Sequence, residues 1–483
     1  MIDVIIIGGG VVGCGVAREL SRYDLNIALL EKTDDISNGQ SKANTAIIHG
    51  GYDAHPGTLK AKFNVLGNQM MDKVCGELDV PHKRNTSLVV SFDAESHDKL
   101  IELQKQGEVN GVPKLSVIGQ DELRKREPNI GSTAYEALLV ETGGIVCPYE
   151  LTQAFAENAA MNGVNFYREA EVIAVEKLKG GWKVTSTAGT FTAKAVINCA
   201  GLYSDEINNM VSEDKFTIVP RRGEYYIVDK KFGDTFHASI FQLPTKMGKG
   251  ILVTPTVDRT VLIGPTAEDI DDKSDTQTTA EGLAKVLKYA SLTWEHIPMR
   301  NFITTFSGLR AHCNRDDFIL GEAPDAPMFF NAGGVESPGL TSSPAIAKYL
   351  AEMVADKLDA VKKEDFNPIR KGIPKFREMT DEQRAKAISI NPDYAKIVCR
   401  CETVTEAEIR EAIHRPVGAR TVDGIKRRTR AGMGRCQAGF CTPKTLEILS
   451  EELHISPLEV TKFGGNSKYL EGYLFEKGDS ENA

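Results

Sequence analysis

The sequence has no apolar run approaching the roughly 20 residues that a membrane-spanning helix needs, so no transmembrane segment is expected. No secretory leader is expected: Val4-Ile5-Ile6-Ile7 comes almost at once, with no basic region or small-residue cleavage site ahead of it. It lacks an excess of basic charge. Lys and Arg number 58 against 67 Asp and Glu, a net charge of −9, which argues against nucleic acid as a partner. It lacks an even set of cysteines, with nine in all. An odd count without a leader points to a reducing cytoplasm, where close cysteine pairs bind metal more often than they form disulfides. It also lacks a second glycine fingerprint, so one dinucleotide fold is expected. What remains is an ordinary globular composition, 41% hydrophobic and 26% charged, over 483 residues. That length calls for two or three domains.

The N-terminal segment reads as strand, glycine turn, helix and strand. Residues 2–7 form the first strand, and Gly8-Gly9-Gly10-Val11-Val12-Gly13 follows. A helix from Cys14 to Tyr23 leads to a second strand, Asn26–Leu30, which ends at Glu31. Each position has a task in holding a dinucleotide. Gly8 allows the tight turn, Gly10 lets backbone N–H groups approach a pyrophosphate, and Gly13 lets helix and strand close together. The helix N-terminus then faces the phosphates, and Glu31 is placed to accept ribose hydroxyls.

The segments that follow select FAD over NAD. Ser41-Lys42-Ala43-Asn44 leads into Thr45-Ala46-Ile47-Ile48-His49-Gly50-Gly51, a polar loop entering a small-residue strand that suits a backbone passing pyrophosphate and ribityl chain. Val196–Gly201 is a further strand ending in small residues, before Ser204-Asp205 at a helix start. Ala332-Gly333-Gly334 through Gly339-Leu340-Thr341 is another strand–glycine–helix passage. Three returns to one nucleotide fold describe a discontinuous flavoprotein. Between them, Ser87–Phe92, Gly181–Ser186, Glu224–Val228, Gly250–Thr254 and Thr260–Ile263 read as strands of a second sheet. Phe155–Asn162 and Glu281–Ser291 read as helices.

Near the C-terminus, Cys399, Cys401, Cys436 and Cys441 form two close pairs, C-x-C and C-x4-C. Four soft thiolates suit an iron–sulfur cluster or zinc. C-x-C is less usual for structural zinc. Residues 396–445 hold eleven Lys and Arg against five Asp and Glu, or +6, which favours an anionic cluster. Zinc remains the alternative. Thr405-x-x-Glu408 is a capping box ahead of a helix Glu406–Ile413. Helices over Thr421–Thr429 and from about Pro443 follow.

The first roughly 350 residues resemble the FAD enzymes of the D-amino-acid-oxidase superfamily. Within it they are similar to the glycerol-3-phosphate oxidase/dehydrogenase branch, with L-2-hydroxyglutarate oxidases nearby. The resemblance rests on Ser41-x-x-Asn44, Ile48-His49-Gly50-Gly51, Pro56–Lys62, Arg221-Arg222-Gly223-Glu224-Tyr225, Gly248-Lys249-Gly250, Ser307-Gly308-Leu309-Arg310 and Ser337-Pro338-Gly339-Leu340-Thr341. The C-terminal segment resembles the bacterioferritin-associated-ferredoxin-like [2Fe–2S] domain, as appended to anaerobic glycerol-3-phosphate dehydrogenase large subunits. The run Arg427-Arg428-Thr429-Arg430-Ala431-Gly432-Met433-Gly434 is close to that form.

The resemblance implies an α/β fold. A discontinuous, Rossmann-like FAD-binding domain of glutathione-reductase type would span 1–75, 140–205 and 305–357. An inserted β-sheet substrate domain would span 76–139 and 206–304. A linker (358–394), a small helical [2Fe–2S] domain (395–460) and a tail (461–483) complete the expected organisation. Gly8, Gly10, Gly13, Glu31, Ser41, Asn44, Gly201, Gly334, Gly339, Leu340 and Thr341 are the expected FAD contacts, and the four cysteines the expected cluster ligands.

For oxidation of a secondary alcohol, a base must take the hydroxyl proton and a cation must hold the substrate's anionic end. His49 is the expected base, since imidazole titrates near working pH. Arg310 and Lys249 are the expected anion holders, with Ser337 a fourth pocket residue. Arg221 and Arg222 are further candidates, a structural ion pair being expected for at least one. His312 and Cys313 depart from the Arg-Pro of the glycerol-3-phosphate branch. The expected activity is FAD-dependent oxidation of sn-glycerol 3-phosphate to dihydroxyacetone phosphate. Electrons would pass through [2Fe–2S] to an electron-accepting partner subunit or flavoprotein, through which peripheral membrane contact stays open. The alternatives are an L-2-hydroxyglutarate-type dehydrogenase and an electron-transfer subunit without a substrate of its own.

Overall fold

The computed structural model describes residues 1–243 and 250–472. The chain divides into two units. The first comprises Met1–Lys32 and Ile36–Gly372; the second joins Thr33–Asp35 to the chain from Ile373 onward.

The first unit is built on two large sheets. In the eight-stranded sheet, Ile2–Ile7 lies between Gly189–Asn198 and Ile27–Leu30, all parallel, and Ala326–Gly333 pairs parallel to Gly189–Asn198. Where these strands pair, Val4–Ile7, Ile27–Leu30 and Ala195–Ile197 are apolar and buried, because both faces of a parallel sheet are covered. Ile5, Ile6, Leu29 and Phe329 are fully buried, each contributing about 1.5–3 kcal/mol of transfer free energy. Helix α1 (Val11–Leu20) packs between the helix Pro148–Met161 and a later long helix. The register matters for function. Ile7 lies opposite both Leu30 and Asn198, and Asn198 opposite Asn331. Gly8, Glu31, Cys199–Gly201 and Gly333–Gly334 therefore converge at one carboxyl edge, where ligands bind in open α/β sheets.

Gly181–Ser186, expected in the second sheet, belongs to this first one, paired antiparallel with Val172–Leu178 and Gly189–Asn198. Local alternation marks it as a strand, but only its hairpin partners decide its sheet.

The nine-stranded sheet is mostly antiparallel. Its longest pairing joins Ile218–Val228 to Phe302–Cys313, with Arg221 opposite Arg310 and Glu224 opposite Ser307. Leu252–Pro255 and Val261–Gly264 continue it, and Ser239–Gln242 pairs parallel to Ser87–Ser91. The predicted helix over Glu281–Ser291 spans Ala280–Thr293. Helix α2 (Leu59–Leu78) and helix α3 (Gly339–Lys357) pack on each other.

The second unit is small and mostly helical. Helix α4 (Asp381–Ile390) lies within the stretch expected as a linker. None of its residues is buried, so no apolar stripe announces it. Its Thr380–Gln383 capping box was legible. Helix α5 (Glu406–His414) begins at the predicted Thr405–Glu408 capping box, with both reciprocal bonds present. Helices α6 (Val422–Thr429) and α7 (Thr442–Leu453) follow. The three close on a core of Ile409, Ile413, Ile425, Ile448 and Leu449.

Candidate functional site

At the carboxyl edge of the first sheet, each glycine of the turn does a different job. Gly8 has φ +109°, and a Cβ there would lie 2.4 Å from the Cys199 carbonyl oxygen. A Cβ at Gly13 would lie 2.0 Å from the Gly8 carbonyl oxygen, so α1 can approach the strand only without one. Gly10 is unlike both. A Cβ there would meet only Ser41 Oγ, at 3.4 Å. No other atom of the described residues lies within 4 Å of that position, which is at the N-terminus of α1, where N–H groups and the helix dipole favour an anion. Ser41 borders it, its Oγ accepting the Val11 N–H at 2.9 Å.

Glu31 takes on a task the sequence did not suggest. Its Oε2 accepts the Gly9 N–H at 2.7 Å and so fixes the glycine turn. Asn44 shapes its own loop: Nδ2 donates to the carbonyls of Gln40 and Ser41, both at 3.1 Å, and Oδ1 accepts the Ala46 N–H at 2.8 Å. Gly201 approaches the same loop, where a Cβ would lie 2.8 Å from Gln40 Oε1. Gly334 packs against Cys313. Gly339 opens α3, followed by half-buried Leu340 and buried Thr341.

Thr341 ties this edge to His49. Its Oγ1 accepts the His49 N–H at 2.9 Å and donates to the Ile47 carbonyl at 3.2 Å. The His49 carbonyl accepts from Asn64 Nδ2 at 3.0 Å and Asn68 Nδ2 at 2.8 Å. Three side-chain hydrogen bonds thus fix the backbone of one half-buried histidine. Its ring meets Phe241 edge-on, with centroids 5.8 Å apart. Phe241 lies on Ser239–Gln242, the last described strand before residues 244–249. Lys249 falls among those and lies outside the described residues.

The three candidate arginines separate cleanly. Arg221 grips Asp269 with Nε and Nη2, at 2.5 and 3.0 Å. Arg222 pairs with Glu268 at 3.3 Å and Asp275 at 3.1 Å. Arg310 has no carboxylate partner among the described residues; its Nη1 donates to the Thr266 carbonyl at 3.3 Å. Its strand crosses the Ser41–Asn44 loop closely, since a Cβ at Gly308 would lie 1.9 Å from the Ala43 carbonyl oxygen. Ser337 is exposed and precedes Pro338 through a cis bond. Beside it, Glu336 accepts from Lys60 Nζ at 2.9 Å and faces His312 Nδ1 at 3.0 Å. Burial raises the Glu336 carboxyl, but the Lys60 charge and the His312 contact outweigh it and leave it below its ordinary value. His312, where the branch has arginine, is therefore engaged with Glu336.

In the second unit the cysteines meet in pairs. Cys401 and Cys436 bring their sulfurs to 3.5 Å, and the Cys399 and Cys441 thiols share a hydrogen bond. That bond lowers the Cys399 thiol to about 6 against the opposing effect of burial, helped by backbone N–H groups of Gly432 and Glu402. Cys399 and Cys441 are 1% and 4% exposed, whereas Cys401 and Cys436 are partly open to solvent. Gly434 makes room for the close pair: a Cβ there would lie 2.2 Å from Cys401 Cβ. Buried Glu402, next to Cys401, is held by Arg430 Nε at 2.9 Å.

Residues 3–353 match the family profile described as FAD dependent oxidoreductase, and residues 397–451 match a BFD-like [2Fe-2S] binding domain. The chain belongs to the FAD dependent oxidoreductase family. It is 50% identical over 475 residues to a glycerol 3-phosphate dehydrogenase of Caloramator mitchellensis, covering 98% of each chain. A glycerol 3-phosphate oxidase of Mycoplasma pneumoniae is 31% identical over 76% of this chain and 97% of its own. The solved L-alpha-glycerophosphate oxidase of that organism, with FAD bound, superposes with a TM-score of 0.73 at 29% identity, covering 77% of this chain and 98% of its own.

The residues present fit both cofactors of this oxidoreductase, FAD and a [2Fe–2S] centre. For FAD, the fit is the space ahead of Gly10, bordered by Ser41 and the N-terminus of α1. For the cluster, it is the pairing of sulfurs. Two irons that each take two thiolates need two pairs, whereas zinc needs four ligands about one point. The match of residues 397–451 to a BFD-like [2Fe-2S] binding domain agrees with the two-iron arrangement.

Sequence reasoning missed groups that hold His49 from behind. Asn64 and Asn68 hold its carbonyl, Thr341, expected as an FAD contact, also accepts its N–H, and Thr45 Oγ1 meets the Tyr225 hydroxyl at 3.1 Å. Asn64 and Asn68, four apart on one turn-facing side of α2, were the one local signal. Polar residues at that spacing in a helix packed against a glycine-bearing neighbour suggest a shared acceptor.

Proposed function

We propose that this chain is an FAD-dependent dehydrogenase that oxidises sn-glycerol 3-phosphate to dihydroxyacetone phosphate and passes the electrons through its [2Fe–2S] domain to a partner protein. Arg310 is the observation that carries the reading. Of three arginines on the second sheet it alone has no carboxylate among the described residues, and it lies on the strand that crosses the flavin-side loop. A guanidinium without a carboxylate is suited to grip a phosphate through paired bonds. Lys249, the second cation expected from the sequence, lies outside the described residues. The grip of Arg310 on the phosphate orients the substrate's C2 toward the flavin edge. The His49 imidazole takes the proton from the C2 hydroxyl as that carbon becomes a carbonyl. Its backbone, held by Thr341, Asn64 and Asn68, keeps the ring in place, so the proton acceptor costs little reorganisation. Bound FAD supplies the hydride acceptor, and the [2Fe–2S] centre supplies a one-electron carrier. The chain's thiols fit a cytoplasmic setting.

The test is anaerobic reduction of the purified yellow protein with glycerol 3-phosphate and, separately, L-2-hydroxyglutarate. Rapid bleaching by the phosphate alone is expected. Bleaching by the dicarboxylate alone would transfer the reading to the hydroxyglutarate class. Bleaching by neither would leave an electron-transfer subunit. Iron analysis and the paramagnetic signal after dithionite test the relay; zinc without iron would sink it.

A further inference from the structure

The two sulfur pairs are not equivalent, and the difference gives the [2Fe–2S] site a direction. Cys399 and Cys441 face the core of the second unit, whereas Cys401 and Cys436 are partly open to solvent. Three exposed side chains adjoin these cysteines in the chain. Arg400 stands between Cys399 and Cys401, Arg435 directly precedes Cys436, and Phe440 directly precedes Cys441. Arg400 makes no ion pair with any described residue. Phe440 is 86% exposed, a greater fraction than any other large hydrophobic side chain described. The turn beneath it is tight, closed by the Gly439 N–H donating to the Cys436 carbonyl at 3.0 Å and Thr442 Oγ1 donating to the Ala438 carbonyl at 2.6 Å. The ring is therefore held out by a formed turn.

The charge is one-sided. Neither 399–401 nor 432–441 contains an acidic residue. The acid next to Cys401 in the chain, Glu402, is buried against Arg430. Acids on α7 are committed elsewhere: Glu447 to Lys444, and Glu451 and Glu452 to Arg410. Residues 396–445 sum to +6; Asp35, Glu447, Glu451 and Glu452, outside that range, pair with Arg427, Arg428, Lys444 and Arg410, and Arg400 is in none of these pairs.

Resting on the relay reading above, we propose that Arg400, Arg435 and Phe440 form the docking face for an acidic one-electron carrier protein. Phe440 enters an apolar recess on the carrier, and the two guanidinium groups meet its carboxylates at the Cys401–Cys436 edge. One electron leaves the reduced centre and the oxidised carrier gains it, with no proton or group transferred. Exposed aromatic and arginine side chains are the residues that anchor interfaces. A single ring with two charges suits the small, short-lived contact of electron transfer, and opposite charge speeds the encounter.

The experiment uses the full-length holoprotein, reduced with dithionite and freed of excess, mixed anaerobically with an acidic flavodoxin or with basic cytochrome c. Wild type should reduce flavodoxin faster than cytochrome c, and should slow as salt rises from about 50 to about 300 mM. Arg400→Glu with Arg435→Glu should slow flavodoxin reduction by about ten-fold or more at low salt, with the gap closing at high salt. Phe440→Ser should slow it by about five-fold at every salt concentration. The cluster's visible and paramagnetic signals should be unchanged in each variant. Arg400→Gln with Arg435→Gln replaces the charge reversal if that variant loses its cluster. Wild-type rates in cluster-loaded variants, or faster transfer to cytochrome c than to flavodoxin, overturn the docking face. Because dithionite loads the centre directly, failure of the relay shows separately, as a centre that glycerol 3-phosphate leaves oxidised.

Discussion

Replacing Asp35 with Asn should destabilise the second unit by about 3–5 kcal/mol, the cost of removing one partner from a buried ion pair. Asp35 is fully buried. Arg428 grips both its oxygens, Nη1 to Oδ2 at 2.7 Å and Nη2 to Oδ1 at 2.8 Å, and Arg427 Nη2 meets Oδ2 at 2.7 Å. Both arginines lie in the last half of α6, and the Asn variant takes from both the charge of the Asp35 carboxylate. The depressed carboxyl gives a second, order-of-magnitude figure. Burial raises the Asp35 carboxyl, but Arg428 and then Arg427 bring it from 3.8 to about 2. At about 1.4 kcal/mol per pH unit this stabilises the fold by about 2–3 kcal/mol. The folded value is the depressed one. The contribution is therefore complete above the unfolded carboxyl's 3.8 and is lost as pH falls through about 2.

Urea unfolding followed by visible circular dichroism of the cluster reports on this unit, whereas both tryptophans, Trp182 and Trp294, report on the first. With a slope of roughly 1–2 kcal/mol per molar urea for a unit of this size, the cluster midpoint should fall by about 2 M. Tryptophan fluorescence of the first unit should move much less. In an acid titration followed by far-ultraviolet circular dichroism, wild type should lose stability between about pH 4 and pH 2, a component the Asn variant lacks. An unchanged cluster midpoint, or the same acid component in both proteins, would refute the reasoning.

Gly10→Val should give colourless protein, because its side chain enters the one unfilled space at the α1 N-terminus; full yellow colour on purification would sink that assignment. Arg310→Lys keeps the charge and loses the fork, and should cost about 2–4 kcal/mol of transition-state stabilisation. Arg221→Lys, whose partner is Asp269, should cost far less; equal losses in stopped-flow flavin reduction would undo the distinction between them. Gly67→Ala places a Cβ 2.1 Å from the Thr341 carbonyl oxygen. It should destabilise by about 1–3 kcal/mol through overpacking and slow substrate reduction through the Thr341–His49 contact, read as a thermal shift beside a lowered kcat.

The sequence by itself determined whatever depends on neighbours a few residues apart. The order of strand, Gly8–Gly13, helix and Glu31 places a dinucleotide turn, because close approach of helix and strand forbids a Cβ at fixed offsets. The Thr405–Glu408 box starts α5 because both bonds close within three residues. The cysteine spacing announces four thiolates. Tertiary structure decided what depends on partners far along the chain. Arg221, Arg222 and Arg310 look alike in sequence; Asp269, Glu268 and Asp275, some fifty residues beyond the first two, remove those two from contention. Glu31 reads as a ribose ligand, yet the fold also makes it the acceptor for Gly9. Gly181–Ser186 reads correctly as a strand, but long-range pairing assigns its sheet. Asp35 carries no local sign of importance, since its guanidinium partners lie almost four hundred residues away. Local spacing fixes backbone conformation because helix, turn and cap close over short range. Which charges are left for a substrate depends on which others have already been neutralised, and only the folded chain brings those partners together.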